Sequence, residues 1–288
     1  MGYAARALAQ LGALFLPGRR KGTSDPADPP RFGPDQIDLQ FQPQLCCDTG
    51  RVTGLRLLPQ FRQPDGRVHG LAEVAPILTD EALSDCIMAG LRLALVALRR
   101  WDRLGVGPDV LTLALPDRAL ADAFLVQELV WELDRKCVEP ARIEVEFAET
   151  GDDQAARGHS LEGVRILARA GCRIAIGEFG TGSAGPSVLR SLPIHRVRIG
   201  RLFVAGCDRD GAQQRMILAL LALAEHLGLD SLADGVVSVE ERSFLTQIGF
   251  GAVQGMGVLP VMAAPAIDDI LLGQRERAPL PAHLLRIG

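Results

Sequence analysis

The chain has 288 residues, of which 48% are hydrophobic and 23% charged, too apolar a composition for an intrinsically disordered protein. Lys+Arg 31 against Asp+Glu 35 leaves a formal net charge of -4, so there is no basic excess to displace counterions from a polynucleotide, and 5% aromatic content argues against a base-stacking platform. Nucleic acid is therefore not an expected partner. The length suits a single α/β barrel with short appendages, a unit of about 250 residues.

Residues 1–20 are expected to form an amphipathic helix. Arg6 is its only charge before Arg19 and Arg20, and it falls short of the ~20 apolar residues of a membrane span. The basic cluster follows the apolar stretch, the reverse of a secretory signal. Such a helix has three docking options: peripheral contact with a membrane surface, a partner's groove, or the main domain itself. Residues 21–36, rich in Pro, Asp, Gly and Ser, read as a linker. Strand-like runs follow at 39–45, 52–61, 111–115, 142–147, 173–179, 196–199, 230–233 and 251–254. The first two are joined by Asp48-Thr49-Gly50, a hairpin turn. Helical spacing links Leu120, Phe124, Leu125, Leu129 and Leu133, and again Met216, Leu220, Leu223 and Leu227. The run 91–101 reads as core, and Trp101 and Trp131 as packing residues. Repeated strand–helix units over 37–272 predict a TIM-like (β/α) barrel, with a tail at 273–288. A doubly wound sheet is the runner-up, but no G-x-G-x-x-G turn follows a first strand.

In a barrel, function sits at the C-terminal strand ends, which directs attention to Gln42–Gln44, Arg56–Gln60, Ala114, Glu146–Glu149, Gly177–Gly182, Arg198–Arg201, Asp234–Val237 and Gln254–Gly257. His69, His159, His195, His226 and His283 lack the spacing of a metal site. Ser160, Ser183 and Ser187 lack the context of a nucleophile. Cys46, Cys47, Cys86, Cys137, Cys172 and Cys207 form no C-x-x-C pair and read as reduced, mostly buried thiols in a cytoplasmic protein.

Several of these segments carry a family's motifs. Phe41-Gln42-Pro43 is similar to Y-Q-P, Gln63-Pro64-Asp65-Gly66 to H-P-D-G, and IEVEFAET at 143–150 to L-E-L-E-I-T-E-S. GEFGTG at 177–182 is similar to D-D-F-G-T-G, Arg198-Ile199-Gly200-Arg201 to K-I-D-R, Ala233-Asp234-Gly235-Val236 to A-E-G-V, and Val253-Gln254-Gly255 to V-Q-G. From about residue 39 to 265 the chain thus resembles the EAL domains of cyclic-di-GMP phosphodiesterases. The resemblance implies a TIM-like barrel of a bacterial signalling protein, placed in the cytoplasm or at the inner membrane face. In the family it also implies hydrolysis of cyclic di-GMP with two divalent cations.

The inner positions depart from that pattern. By the resemblance, the signature Glu falls at Arg56, the metal-binding Asn at Ala114, the first of two aspartates at Gly177 and the second at Glu178. The catalytic Lys falls at Arg198 and a further acid at Asp234; Glu146 and Gln254 match outright, and Glu149 is kept beside them, where a salt bridge suffices to explain it. Two-metal hydrolysis needs clustered hard oxygen ligands. Glu146, Glu178 and Asp234 here face Arg56 and Arg198, whose charge is fixed. The expectation is therefore no catalytic residue, no bound metal or cofactor, Mg²⁺ included, and a protein that is not an enzyme but a regulator working through a protein partner, with homodimerisation left open. The alternative is a cyclic-di-GMP receptor using Gln42, Pro43, Arg56, Leu58, Glu146 and Gln254, with Arg56 on a phosphate. Against that alternative stands Gln60, where the resemblance expects an Arg. A weak metal-dependent phosphodiesterase is the third reading. The loop 183–186, Ser-Ala-Gly-Pro, replaces Y-S-S-L, which in the family links metal centre to dimer interface.

Overall fold

In the computed structural model, which describes residues 32–63, 65–148, 154–181 and 186–277, strands β1 (Ile37–Cys46) and β2 (Val52–Arg62) form the expected antiparallel hairpin. Gly50 turns it with φ +65°, donating its N–H to the Cys46 carbonyl at 2.9 Å. A short β3 (Val68–Gly70) folds back on β2. A parallel series then runs from β2 through β4 (Val110–Ala114), β5 (Ile143–Phe147), β6 (Arg173–Ile176), β7 (Arg196–Ile199), β8 (Asp230–Ala233) and β9 (Ala252–Val253). β1 pairs antiparallel with both β2 and β9 and so closes the ring. β10 (Met262–Ala263) adds to the outer end of β1. The barrel is thus the expected one, with one antiparallel stave.

Two strands explain why this barrel carries charge inside. In β5, Ile143-Glu144-Val145-Glu146-Phe147, every residue is buried, because one face meets the barrel interior and the other the helices. Period-2 alternation puts Glu144 and Glu146 on one face, and in β7 it does the same for Arg196 and Arg198. The two strands meet across the interior in matching pairs. Arg196 Nη1 lies 2.9 Å from Glu144 Oε2, and Arg198 Nε 3.1 Å from Glu146 Oε2. The lower pair is completed by Thr112, which donates to Glu144 at 2.9 Å, and by Gln44, which donates to Thr112 at 2.9 Å and accepts from Arg196 at 3.2 Å.

Helices cover the outside. The helix Asp80–Arg103 is capped by Thr79, whose hydroxyl accepts from the Ala82 N–H, and buries Leu91, Ala94, Leu95, Leu98 and Trp101. Trp101 stacks edge-on to Phe41 and donates to Asp268 at 2.6 Å. Three expectations change here. The apolar series from Leu120 to Leu133 is broken at Asp122, which ends Asp117–Ala121 and caps Ala123–Arg135 by accepting from the N–H groups of Phe124 and Leu125. Phe124 and Trp131 then stand 89% and 61% exposed, so Trp131 is not a packing residue. In Gly211–His226 the core face is Ile217, Leu221 and Ala224, while Met216 and Leu227 are exposed. The run is apolar nearly throughout, so its period does not mark which stripe meets the barrel.

Segment boundaries shift as well. The last helix, Ala264–Arg277, continues beyond the expected boundary at 272. Pro34–Gln36, expected as linker, forms a 3-10 turn, and Phe32 packs edge-on against Phe61. The predicted helix 1–20, the loop 183–185, Glu149 and residues 278–288 lie outside the described residues. Among the described residues no helix is long and apolar enough to cross a membrane.

Candidate functional site

The upper polar layer of the barrel lies at the C-terminal strand ends. Arg56 enters from β2, where it sits opposite Gln42 of β1 and Thr112 of β4. Its Nη2 donates to Glu146 Oε1 at 2.9 Å and its Nη1 to Asp234 Oδ2 at 3.0 Å. Arg198, 1% exposed, meets Glu146 on one side and donates from Nη2 to Asp234 Oδ2 at 3.1 Å and to Gln254 Oε1 at 2.9 Å. Gln254 in turn donates to Gln42 at 2.8 Å. Two guanidiniums and two carboxylates therefore alternate around the mouth. Asp234 Oδ1 accepts from the Gly235 N–H at 2.8 Å, while Glu146 Oε2 lies within ion-pairing distance of Arg198 Nε, 3.1 Å, without a hydrogen bond.

The electrostatics follow from this geometry. Burial works to raise Asp234, but Arg198 and then Arg56 outweigh it and hold the carboxyl below its ordinary range. Burial opposes the charge on Arg198, yet Glu146 and Asp234 more than offset it, so its guanidinium is held still more firmly protonated. Glu178 differs. It sits just past β6 with a left-handed φ of +48°, its carboxyl over Gly200, where a Cβ would collide with it. Desolvation, then the charges of Asp234 and Glu146, raise its pKa. Gly177, just before it, leaves room for Glu146: a Cβ there would lie 2.8 Å from Glu146 Oε1.

Beside this layer opens a cavity of about 580 Å³, walled by Arg56, Leu58, Gln60, Leu71, Ala114, Pro116, Arg118, Glu146, Phe147 and Glu178 among others. Of the six residues expected to hold a nucleotide, Arg56, Leu58 and Glu146 reach it. Gln42, Pro43 and Gln254 do not line it: Pro43 is buried in β1, and Gln254, wholly buried, bonds to Gln42 and Arg198 behind the wall. Of the substituted positions, Arg56, Ala114 and Glu178 line the cavity, while Gly177, Arg198 and Asp234 do not. The sequence reading missed the opposite rim. Arg118 donates to the carbonyl of Leu78 and to Asp80 at 3.0 and 3.1 Å, and also to the Ala75 carbonyl, which fastens the segment after β3 over the cavity. The signal was available in Pro116-Asp117-Arg118, which extends the same strand end as Ala114.

The two divalent cations implied by the resemblance do not fit this donor set. Among the described residues no group of three or more His, Cys, Asp or Glu side chains is placed to hold a metal ion, and the oxygens of Glu146 and Asp234 are directed at guanidinium or backbone N–H groups.

A family model of the EAL domain matches residues 31–260. The cyclic di-GMP phosphodiesterase PA2567 of Pseudomonas aeruginosa is 28% identical over 239 residues, covering 81% of this chain and 40% of its own. The cyclic di-GMP phosphodiesterase PdeR of Escherichia coli is 27% identical over 248 residues, covering 81% and 35%. The chain thus spans well under half the length of these relatives. The solved complex of the PaMucR phosphodiesterase with c-di-GMP superposes with a TM-score of 0.73 at 26% identity, over 81% of this chain and 94% of that one. These names correct one expectation outright. Relatives of this chain are named as phosphodiesterases, hence enzymes, and the reading of the chain as not an enzyme is withdrawn.

Proposed function

The chain belongs to the EAL domain family, and from that premise we propose that its barrel mouth binds cyclic di-GMP as part of a signalling protein. The observation that carries the reading is the cavity of about 580 Å³ at the strand ends, within the roughly 300–1,000 Å³ typical of small-ligand clefts. Its walls supply what a cyclic dinucleotide needs. Leu58, Leu71, Pro116 and Phe147 offer apolar surface for a base, Gln60 offers an amide, and Arg56 offers a guanidinium suited to a phosphate. The named ligand of the PaMucR complex favours the same chemistry. Titration calorimetry of the full chain with cyclic di-GMP tests the proposal. Micromolar or tighter binding is expected, and absence of heat at millimolar ligand overturns it. Chromatography of the recovered nucleotide then reports whether it leaves intact or as the linear dinucleotide, the outcome that would extend the named relatives' chemistry to this chain.

A second reading, docking of a protein partner, is favoured by Phe124 and Trp131. They stand two helical turns apart on Ala123–Arg135, 89% and 61% exposed, two large apolar side chains flanking the polar Gln127 and Glu128, and aromatic residues are enriched at contact surfaces. Sedimentation velocity of the wild type and of Phe124→Glu separates a second copy of this chain from a different partner. A dimer lost on substitution identifies self-association, whereas a monomer in both directs the search to another protein.

A further inference from the structure

We infer that Arg56 and Arg198 stand in for divalent cations in the mouth, so that the dinucleotide is held without metal and Arg56 is the group that meets its phosphate. The inference rests on the reading of the mouth as a cyclic-di-GMP site, and it adds how the ligand's negative charge is balanced there.

Two observations carry it. First, the carboxylate oxygens a cation needs are taken. Glu146 Oε1 pairs with Arg56 at 2.9 Å and Oε2 with Arg198 at 3.1 Å. Asp234 Oδ2 is shared between the two arginines at 3.0 and 3.1 Å, and Oδ1 accepts a backbone N–H. A divalent ion entering here would have to displace a guanidinium or lie against its fixed positive charge, and one remaining carboxylate, Glu178, falls far short of the oxygen shell Mg²⁺ or Ca²⁺ takes. Second, the two arginines are held differently. Arg198 is sealed, with 1% of its side chain exposed, whereas 23% of Arg56 is exposed and it forms part of the cavity wall. Arg198 therefore holds Glu146 and Asp234 in place, and Arg56 presents charge to the ligand.

The test is calorimetry of the full chain with cyclic di-GMP in excess EDTA and again in millimolar Mg²⁺, paired with Mn²⁺ titration of the ligand-free chain followed by electron paramagnetic resonance. Equal dissociation constants within about a factor of two in the two buffers are expected, with free Mn²⁺ signal undiminished by protein. Arg56→Gln should weaken binding by about tenfold or more while Arg56→Lys, which keeps the charge and loses the fork, recovers part of it. Thermal melts of both variants confirm that they fold. Binding seen only with Mg²⁺ overturns the inference and leaves the cyclic-di-GMP reading standing, as does stoichiometric Mn²⁺ uptake. Unaltered affinity in Arg56→Gln overturns the role given to Arg56. Absence of binding in both buffers overturns the inference together with the reading beneath it.

Discussion

Replacing Arg198 by Met tests the mouth network directly. The guanidinium is 1% exposed and holds Glu146 at 3.1 Å, Asp234 at 3.1 Å and Gln254 at 2.9 Å. Met fills much of the volume, so the packing loss is small and the electrostatic loss dominates. Taking one partner from a buried pair leaves the other charge uncompensated, which costs about 3–5 kcal/mol. At about 2–4 °C per kcal/mol for a domain of this size, the melting temperature should fall by roughly 6–20 °C. Arg56 still faces both carboxylates, which places the expected value toward the lower end.

The pH dependence separates this cause from generic core damage. Asp234 is held below its ordinary range by Arg198 and Arg56, against burial. A depressed carboxyl contributes stability above its unfolded pKa and loses it as pH falls through the folded value. The gap between wild type and Arg198→Met should therefore be widest at neutral pH and should narrow below about pH 4, where the carboxyls take up protons. Differential scanning fluorimetry across that range measures it. Equal melting temperatures at neutral pH, or a loss that does not change with pH, would refute the reasoning.

Other perturbations follow from the same geometry. Glu178 is raised by desolvation and then by Asp234 and Glu146, so its charged form opposes folding above the folded pKa, and that opposition vanishes below the unfolded value of about 4.3. Glu178→Gln should melt higher than wild type at neutral pH and converge with it in acid; a lower melting temperature at neutral pH contradicts this. Gly177→Ala sets a Cβ 2.8 Å from Glu146 Oε1, itself held by Arg56. It should destabilise by about 1–3 kcal/mol in urea unfolding, and an unchanged midpoint would show that Glu146 has slack. Thiol labelling of the native chain should reach exposed Cys137 first and then Cys46, lowered by the Thr49 hydroxyl. Cys86, Cys172 and Cys207, which burial pushes up to about 11, should react only on unfolding. Early modification of any of these three, read by mass spectrometry, would place them in accessible positions.

The fold was legible because the barrel repeats one local rule. Most parallel strands are short apolar or alternating runs followed by a helix, and the turn at Asp48-Thr49-Gly50 needs the positive φ that Gly50 supplies. The helix faces were less legible. Asp122 looks like one polar residue in an apolar series, yet its side chain caps a new helix, and this rotates Phe124 and Trp131 into solvent. Capping is a local contest between a carboxylate and the next turn's N–H groups. A periodicity read over Leu120 to Leu133 averages that contest away.

In the site, strand position alone brought Arg56, Glu146, Glu178, Arg198 and Asp234 to one end of the barrel. The partition between them was not visible. Gln42 and Gln254 have the polarity of ligand contacts, but the structure turns them toward each other and Arg198 behind the cavity. The reason is charge pairing at depth. A buried arginine between two carboxylates still has donors to satisfy, and the nearest neutral acceptor, Gln254, is drawn inward to meet one. The residue that stays at the surface, Arg56, is the one whose strand partner Gln42 is already committed to Gln254. Inward arginine thus determines which amides the cavity loses, and that coupling is absent from a one-residue-at-a-time comparison of motifs.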